Sequence, residues 1–142
     1  MKKIGIYIMS DSRSWGRRKR KTICLLEYKG RRGTVTRDFV LESEETFRGA
    51  AILALAAAAG RIDEPVHAAV FCDDGGLEAT VRDLDALKQR SFLKKDGKPV
   101  AYAGQLEKIC EGIAETEWGG SKHPYSGWMA SELTRRKEEC VS

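Results

Sequence analysis

The chain predicts an α/β protein built on a five-stranded mixed sheet, three antiparallel strands followed by parallel ones, flanked by helices. Three observations carry this. Two short apolar runs, Ile4 to Met9 and Val66 to Cys72, each stop at an acid, Asp11 and Asp73. A buried strand cannot hold an unpaired carboxylate, so the acid marks where the chain leaves the core. Glycines bracket a hairpin turn at Lys29–Gly33, which joins two early strands as antiparallel neighbours. From Ser43 onward helical segments separate the strands, and strands joined by helical crossovers run parallel.

The elements follow in order. The first strand covers Lys3 to Met9, and a basic turn leads to a second strand, Thr22 to Tyr28. The third runs from Thr34 to Leu41. A helix then opens at Ser43 as N-cap, with Glu44 and Glu45 complementing the positive end of the dipole. It continues through Phe47, Ala51, Ile52, Leu55 and Ala58 and stops at Gly60. Its alanines predict close approach to the sheet. The fourth strand, Val66 to Cys72, follows Pro65. A second helix spans Gly76 to Arg90, with Leu77, Val81, Leu84 and Leu87 on one face. The basic stretch Ser91–Pro99 breaks the pattern before a third helix, Tyr102 to Gly112, and a fifth strand, Ile113 to Trp118. A last helix runs from Ser126 to Glu139.

With 142 residues, 42% of them hydrophobic, the chain fits one domain, residues 1–142, with a sizeable core. No apolar run is long enough to cross a bilayer, and the N-terminus shows no signal peptide, so no membrane partner and a cytoplasmic location are expected. None of Cys24, Cys72, Cys110 and Cys140 forms a C-x-x-C pair, which argues for reduced structural thiols rather than a zinc site.

The net charge is only +4, but cations cluster. Arg13, Arg17, Arg18, Lys19, Arg20 and Lys21 form one group, and Lys88, Arg90, Lys94, Lys95 and Lys98 another. Acids gather at Glu42–Glu45. Such asymmetry fits either an electrostatic footprint for a polyanion or solvated loops. Within the first cluster, Arg13, Arg17, Arg18 and Arg20 would clamp phosphates and Trp15 would stack on a base, or the segment is an exposed hairpin with a partly buried tryptophan. If the strands ending at Asp11 and Asp73 are parallel neighbours, their carboxylates meet at one sheet edge. They would then repel unless a cation such as magnesium or manganese joined them. A basic chain with that site points to phosphodiester chemistry.

The order of elements, with aspartates ending the first and fourth strands, resembles ribonuclease H over nearly the whole chain. Ile8-Met9-Ser10-Asp11 is similar to the family's first-strand motif, and Ala50–Leu55 to the middle of its first helix. Cys72-Asp73-Asp74 resembles its Thr-Asp-Ser triplet. Lys94–Val100 resembles its basic protrusion, and Trp118, His123-Pro124 and Ser131–Arg135 its closing strand, loop and last helix. The resemblance implies a two-metal site holding Mg2+ or Mn2+ on Asp11 and Asp73. It also implies an RNA–DNA hybrid or structured RNA as partner, bound through the basic loops including Lys94, Lys95 and Lys98. His123 would correspond to the histidine that assists product release. Asp74 is read as a cap for the next helix rather than a further ligand.

Two of the family's four carboxylates are missing. Its glutamate falls on Phe47, and its last aspartate on Ser131 or Ala130. Glu44, three residues before Phe47 on the expected helix face, and Glu132, by a register slip, are the substitutes within reach. The family's asparagine pair is replaced by Ser43 and Glu44. The resemblance so altered implies nucleic-acid binding with weak or no hydrolysis. The alternatives are an active magnesium-dependent ribonuclease H and a protein-interaction module on the same fold.

Overall fold

The computed structural model describes residues 2–120 and 122–141, the last six of these by backbone alone. Five strands form one sheet: β1 (Lys3–Ser10), β2 (Arg18–Gly30), β3 (Gly33–Glu45), β4 (Val66–Cys72) and β5 (Ile113–Gly119). Their order is β3-β2-β1-β4-β5, with β1, β2 and β3 antiparallel and β4 and β5 parallel to β1. The mixed sheet is the one the sequence predicts. The turn at Arg31-Arg32 closes on Gly33, whose φ of 119° only glycine adopts without strain.

Helix α1 (Phe47–Ala59) crosses from β3 to β4 over one face of the sheet. Leu55, Ala54 and Ala58 are fully buried against Ile6, Cys24, Ala68 and Val70. Small side chains let α1 lie close to the sheet and to α4 (Ala103–Gly112), where a Cβ on Gly112 would stand 2.9 Å from the carbonyl of Ala59. The opposite face is partly covered by α5 (Ser126–Val141), through Met129 and Leu133 on Tyr7, Ile23 and Leu25. No helix among the described residues is long and apolar enough to cross a membrane.

Four boundaries differ clearly from expectation. β2 begins at Arg18 and β3 ends at Glu45, so both strands run one or two turns of pleat further than their apolar residues indicate. The cause is a ladder of opposite charges: Arg18 faces Glu45, Lys19 faces Glu44 and Lys21 faces Glu42. Cross-strand pairs of opposite sign support pairing that apolar periodicity cannot reveal. Helix α1 therefore starts at Phe47, capped by Thr46, whose Oγ1 accepts from the Gly49 N–H at 3.0 Å; Ser43 is no cap. The expected single helix 76–90 is two, α2 (Gly75–Arg82) and α3 (Leu84–Gln89), with Asp83 at the break.

Candidate functional site

The parallel pairing of β1 with β4 brings the two acid-ending strands side by side, with Ile8 opposite Cys72. Asp11 and Asp73 thus leave the same end of the sheet. They turn to different neighbours. Asp73 is largely buried, and the Nε of Arg13 lies 2.8 Å from its Oδ2. Asp11 is exposed, its backbone N–H extends the ladder to the Lys21 carbonyl, and it lines a cleft of about 490 Å³ with Lys19, Lys21, Glu42, Ser43 and Glu44. Asp73 is not part of that cleft.

The substitutes proposed for the missing carboxylates lie elsewhere. Glu44 is not on the helix; it is an exposed residue of β3 facing Lys19. Glu45 is the acid near the start of α1, and its Oε2 accepts from the Tyr102 hydroxyl at 2.5 Å. Phe47 opens α1, so an apolar ring stands where the resemblance calls for a glutamate. Glu132 pairs with Arg135 at 2.7 Å on α5, while Ala130 and Ser131 are exposed. Asp74 caps α2, its Oδ1 accepting from the Gly76 N–H at 3.0 Å. Among the described residues, no group of three or more His, Cys, Asp or Glu side chains is placed to hold a metal ion. The donor set does not fit a two-metal centre. Such a centre asks for several convergent oxygens, and here one carboxylate is already satisfied by a guanidinium.

His123 lies in the loop before α5 and packs inward. Its ring packs on Tyr7, 4.7 Å between centroids, and lies 5.7 Å from Phe71. Its Nδ1 accepts from the Tyr125 N–H at 3.2 Å, and Ser126 exchanges hydrogen bonds with its backbone at the entry to α5. Burial lowers its pKa from the ordinary 6.5. Beside it, Glu27 on β2 accepts from the hydroxyl of Tyr125 and, at 3.5 Å, from that of Tyr7. The hydrogen bond to Glu27 is the first cause that pushes the Tyr125 phenol up to about 12. Sequence reasoning missed this cluster. Glu27 follows the apolar run Ile23–Leu26, where an acid reads as the strand's exit to solvent.

The basic residues divide into two kinds. Arg20, expected at phosphate, is 3% exposed and belongs to the interior. Its Nε donates to the Glu45 carbonyl at 2.7 Å, and its two terminal nitrogens to those of Ser12 at 2.8 Å, Ser14 at 2.9 Å and Gly16 at 2.7 Å. The rigid five-donor fork of arginine suits this role. Arg13, Arg17 and Arg18 are exposed around Trp15, which is 86% exposed. Arg17 lies 3.9 Å from Glu45. Lys94, Lys95 and Lys98 are exposed on a tight turn, closed by Lys94 N–H to the Lys98 carbonyl at 2.7 Å with Gly97 at φ 82°. Through Tyr102 and Glu45 this turn's chain returns to the end of β3 that adjoins the Trp15 loop.

Burial raises the thiol pKa of Cys24 and pushes that of Cys72 up to about 12, so both are protonated core residues. Burial also raises Cys110; the Cys140 side chain lies outside the described residues.

The chain matches no protein-family profile and no curated protein. Among solved structures it is similar to LC9-RNase H1, a type 1 ribonuclease H with the type 2 active-site motif. That match has a TM-score of 0.65 and 15% identity over 95% of this chain and 72% of the other. The ribonuclease H domain of prototype foamy virus aligns with TM-score 0.59 and 13% identity over 93% of this chain and 90% of that one. The foamy viral protease-reverse transcriptase, solved in complex with double-stranded DNA, aligns at 0.60 and 14%, covering 94% and 92%. In its complex with an RNA/DNA hybrid this chain spans 19% of the viral chain. These likenesses define the class: the chain has the ribonuclease H-like fold.

Proposed function

We propose that the protein binds nucleic acid, an RNA–DNA hybrid or structured RNA, and hydrolyses it weakly or not at all. The observation that carries this reading is the ion pair between Arg13 and Asp73 at 2.8 Å. At the strand end where the family's acid takes a metal, this chain supplies its own cation. The guanidinium offsets the carboxylate's charge and lowers the pull on a divalent ion. Phe47 and Ser131 remove two further oxygens. The fold leaves activity undecided, because function lives in the site. Exposed Arg17, Arg18, Lys94, Lys95 and Lys98 support a polyanion partner. So does the foamy viral protein of the same fold, which was solved on double-stranded DNA and on RNA/DNA hybrid.

The test measures hybrid binding and hybrid cleavage together, with magnesium and with manganese. The natural protein and Asp73→Asn should both bind, with affinity falling steeply as salt rises, and both should cut negligibly. Robust cleavage that disappears in Asp73→Asn would overturn the reading. A converse variant, Arg13→Ala with Phe47→Glu and Ser131→Asp, should raise metal affinity measured by calorimetry.

A further inference from the structure

The geometry points to the loop 12–17 as a preorganised site for an unpaired base, with Trp15 stacking on the base and Arg17 and Arg18 taking the flanking phosphates. This rests on the nucleic-acid reading above and names the part of the substrate the loop selects.

Three features combine. The indole of Trp15 is 86% exposed, although burying an aromatic of that size is among the largest stabilisations a side chain offers. The loop that holds it out is not slack. Arg20, buried beneath, fixes the carbonyls of Ser12, Ser14 and Gly16, every second residue of the loop, within 2.7 to 2.9 Å. It also ties them to the Glu45 carbonyl at 2.7 Å, at the end of β3. A second arginine, Arg13, anchors the loop to β4 through Asp73. The ordering cost of presenting the ring is therefore met on folding, not on binding. Finally, exposed cations follow the ring in the chain: Arg17 and Arg18 come directly after Gly16.

An exposed aromatic among guanidiniums fits a base with phosphates on either side. It does not fit a base inside a duplex, because stacked pairs offer no free face except at an end. The partner is therefore a strand with a single-stranded part: an overhang, a bulge or a frayed junction.

The experiment titrates the full chain with a blunt duplex and with the same duplex carrying a short single-stranded overhang. Tryptophan emission and mobility shift are both read. The overhang should bind about tenfold tighter, with quenching that disappears in Trp15→Phe although Trp118 and Trp128 remain. Trp15→Ala should abolish the preference and leave blunt-duplex binding in place. Arg20→Met, confirmed folded by circular dichroism, should weaken overhang binding without changing the salt slope, since the buried guanidinium touches no phosphate. Equal affinity for the two duplexes, or an unchanged preference in Trp15→Ala, would overturn the loop's role and leave nucleic-acid binding standing. No binding to either at low salt would overturn both.

Discussion

The two faces of the sheet are built on different principles. Under α1 the contact is almost wholly apolar: Ile6, Ile8, Cys24, Ala68 and Val70 meet Ala51, Ala54, Leu55 and Ala58. Arg20, buried and charged, sits where that face reaches the Trp15 loop and serves the loop's carbonyls. Under α5 the apolar contact is small, and a polar aromatic group completes it. Tyr7 stacks on Phe71 at 4.6 Å, meets Tyr125 edge-on at 4.9 Å, and both tyrosines reach Glu27. The first face gains stability from close packing of backbone on backbone. The second gains position, because the hydrogen bond from Tyr125 to Glu27 fixes where α5 begins. Strand alternation continues this second side from Phe71 to Asp73 and from Met9 to Asp11. The strand-end acids therefore adjoin the polar face, where α5 must be held in register.

The comparison breaks most visibly in the core. Leu55→Ala and Met129→Ala each empty a fully buried position on opposite faces. Leu55 lies in the large, fully packed cluster under α1, so its loss should cost about 4 kcal/mol in denaturant unfolding. Met129 sits in a small cluster under one helix that can settle, and should cost about 2 kcal/mol. Equal costs would mean that the α5 face is packed as rigidly as the α1 face.

What was legible in the sequence follows the same division. The α1 face could be read because apolar periodicity announces it: two strands that stop at acids, an alanine-rich helix, a proline before the next strand. Their order was enough for the mixed sheet and for the ribonuclease H-like fold. The charged ends of β2 and β3 were unreadable as strand, because Arg18–Lys21 and Glu42–Glu45 look like two separate clusters until the hairpin sets them opposite each other. Reading them so places Glu44 on a helix, though it lies on β3, and makes Arg20 a surface cation, though it is buried. Asp11 and Asp73 were correctly brought to one sheet end, but Arg13 could not be foreseen as the partner of Asp73. The pairing depends on the shape of a loop, and that shape depends on a buried arginine.

A smaller effect should come from the polar link across the second face. Tyr125→Phe keeps the ring on Tyr7 and deletes only the hydroxyl that donates to Glu27. A hydrogen bond to a largely buried carboxylate contributes about 1.5 kcal/mol, and the same change in Tyr7, whose hydroxyl is 3.5 Å away, should cost less. Hydrogen exchange should show the first turn of α5 opening more readily in Tyr125→Phe, while α1 is unaffected. If both helices loosen together, the two faces unfold as one unit.

The smallest effect is one of pH, and it too belongs to the second face. His123 lies between Tyr7, Phe71 and the Tyr125 backbone, with Glu27 beyond the two tyrosine hydroxyls. Its Nδ1 accepts the Tyr125 N–H, which only an unprotonated nitrogen can do. Burial accordingly lowers its pKa from 6.5. The sign follows from linkage. Below 6.5 the unfolded chain takes up a proton that the folded chain refuses until its own lower pKa is reached. The stabilisation is complete above 6.5, shrinks as pH falls toward the folded value, and is gone below it. Unfolding free energy measured between pH 7 and pH 5.5 should therefore decline with acid. His123→Asn, whose side-chain oxygen can still accept from Tyr125 N–H, should decline less over the same range. Carboxylates titrate lower and contribute equally to both proteins, so the difference between the two slopes isolates the imidazole. Superimposable slopes would show that His123 gains no protection from the aromatic face, and that its ring is free to leave Tyr7 when protonated.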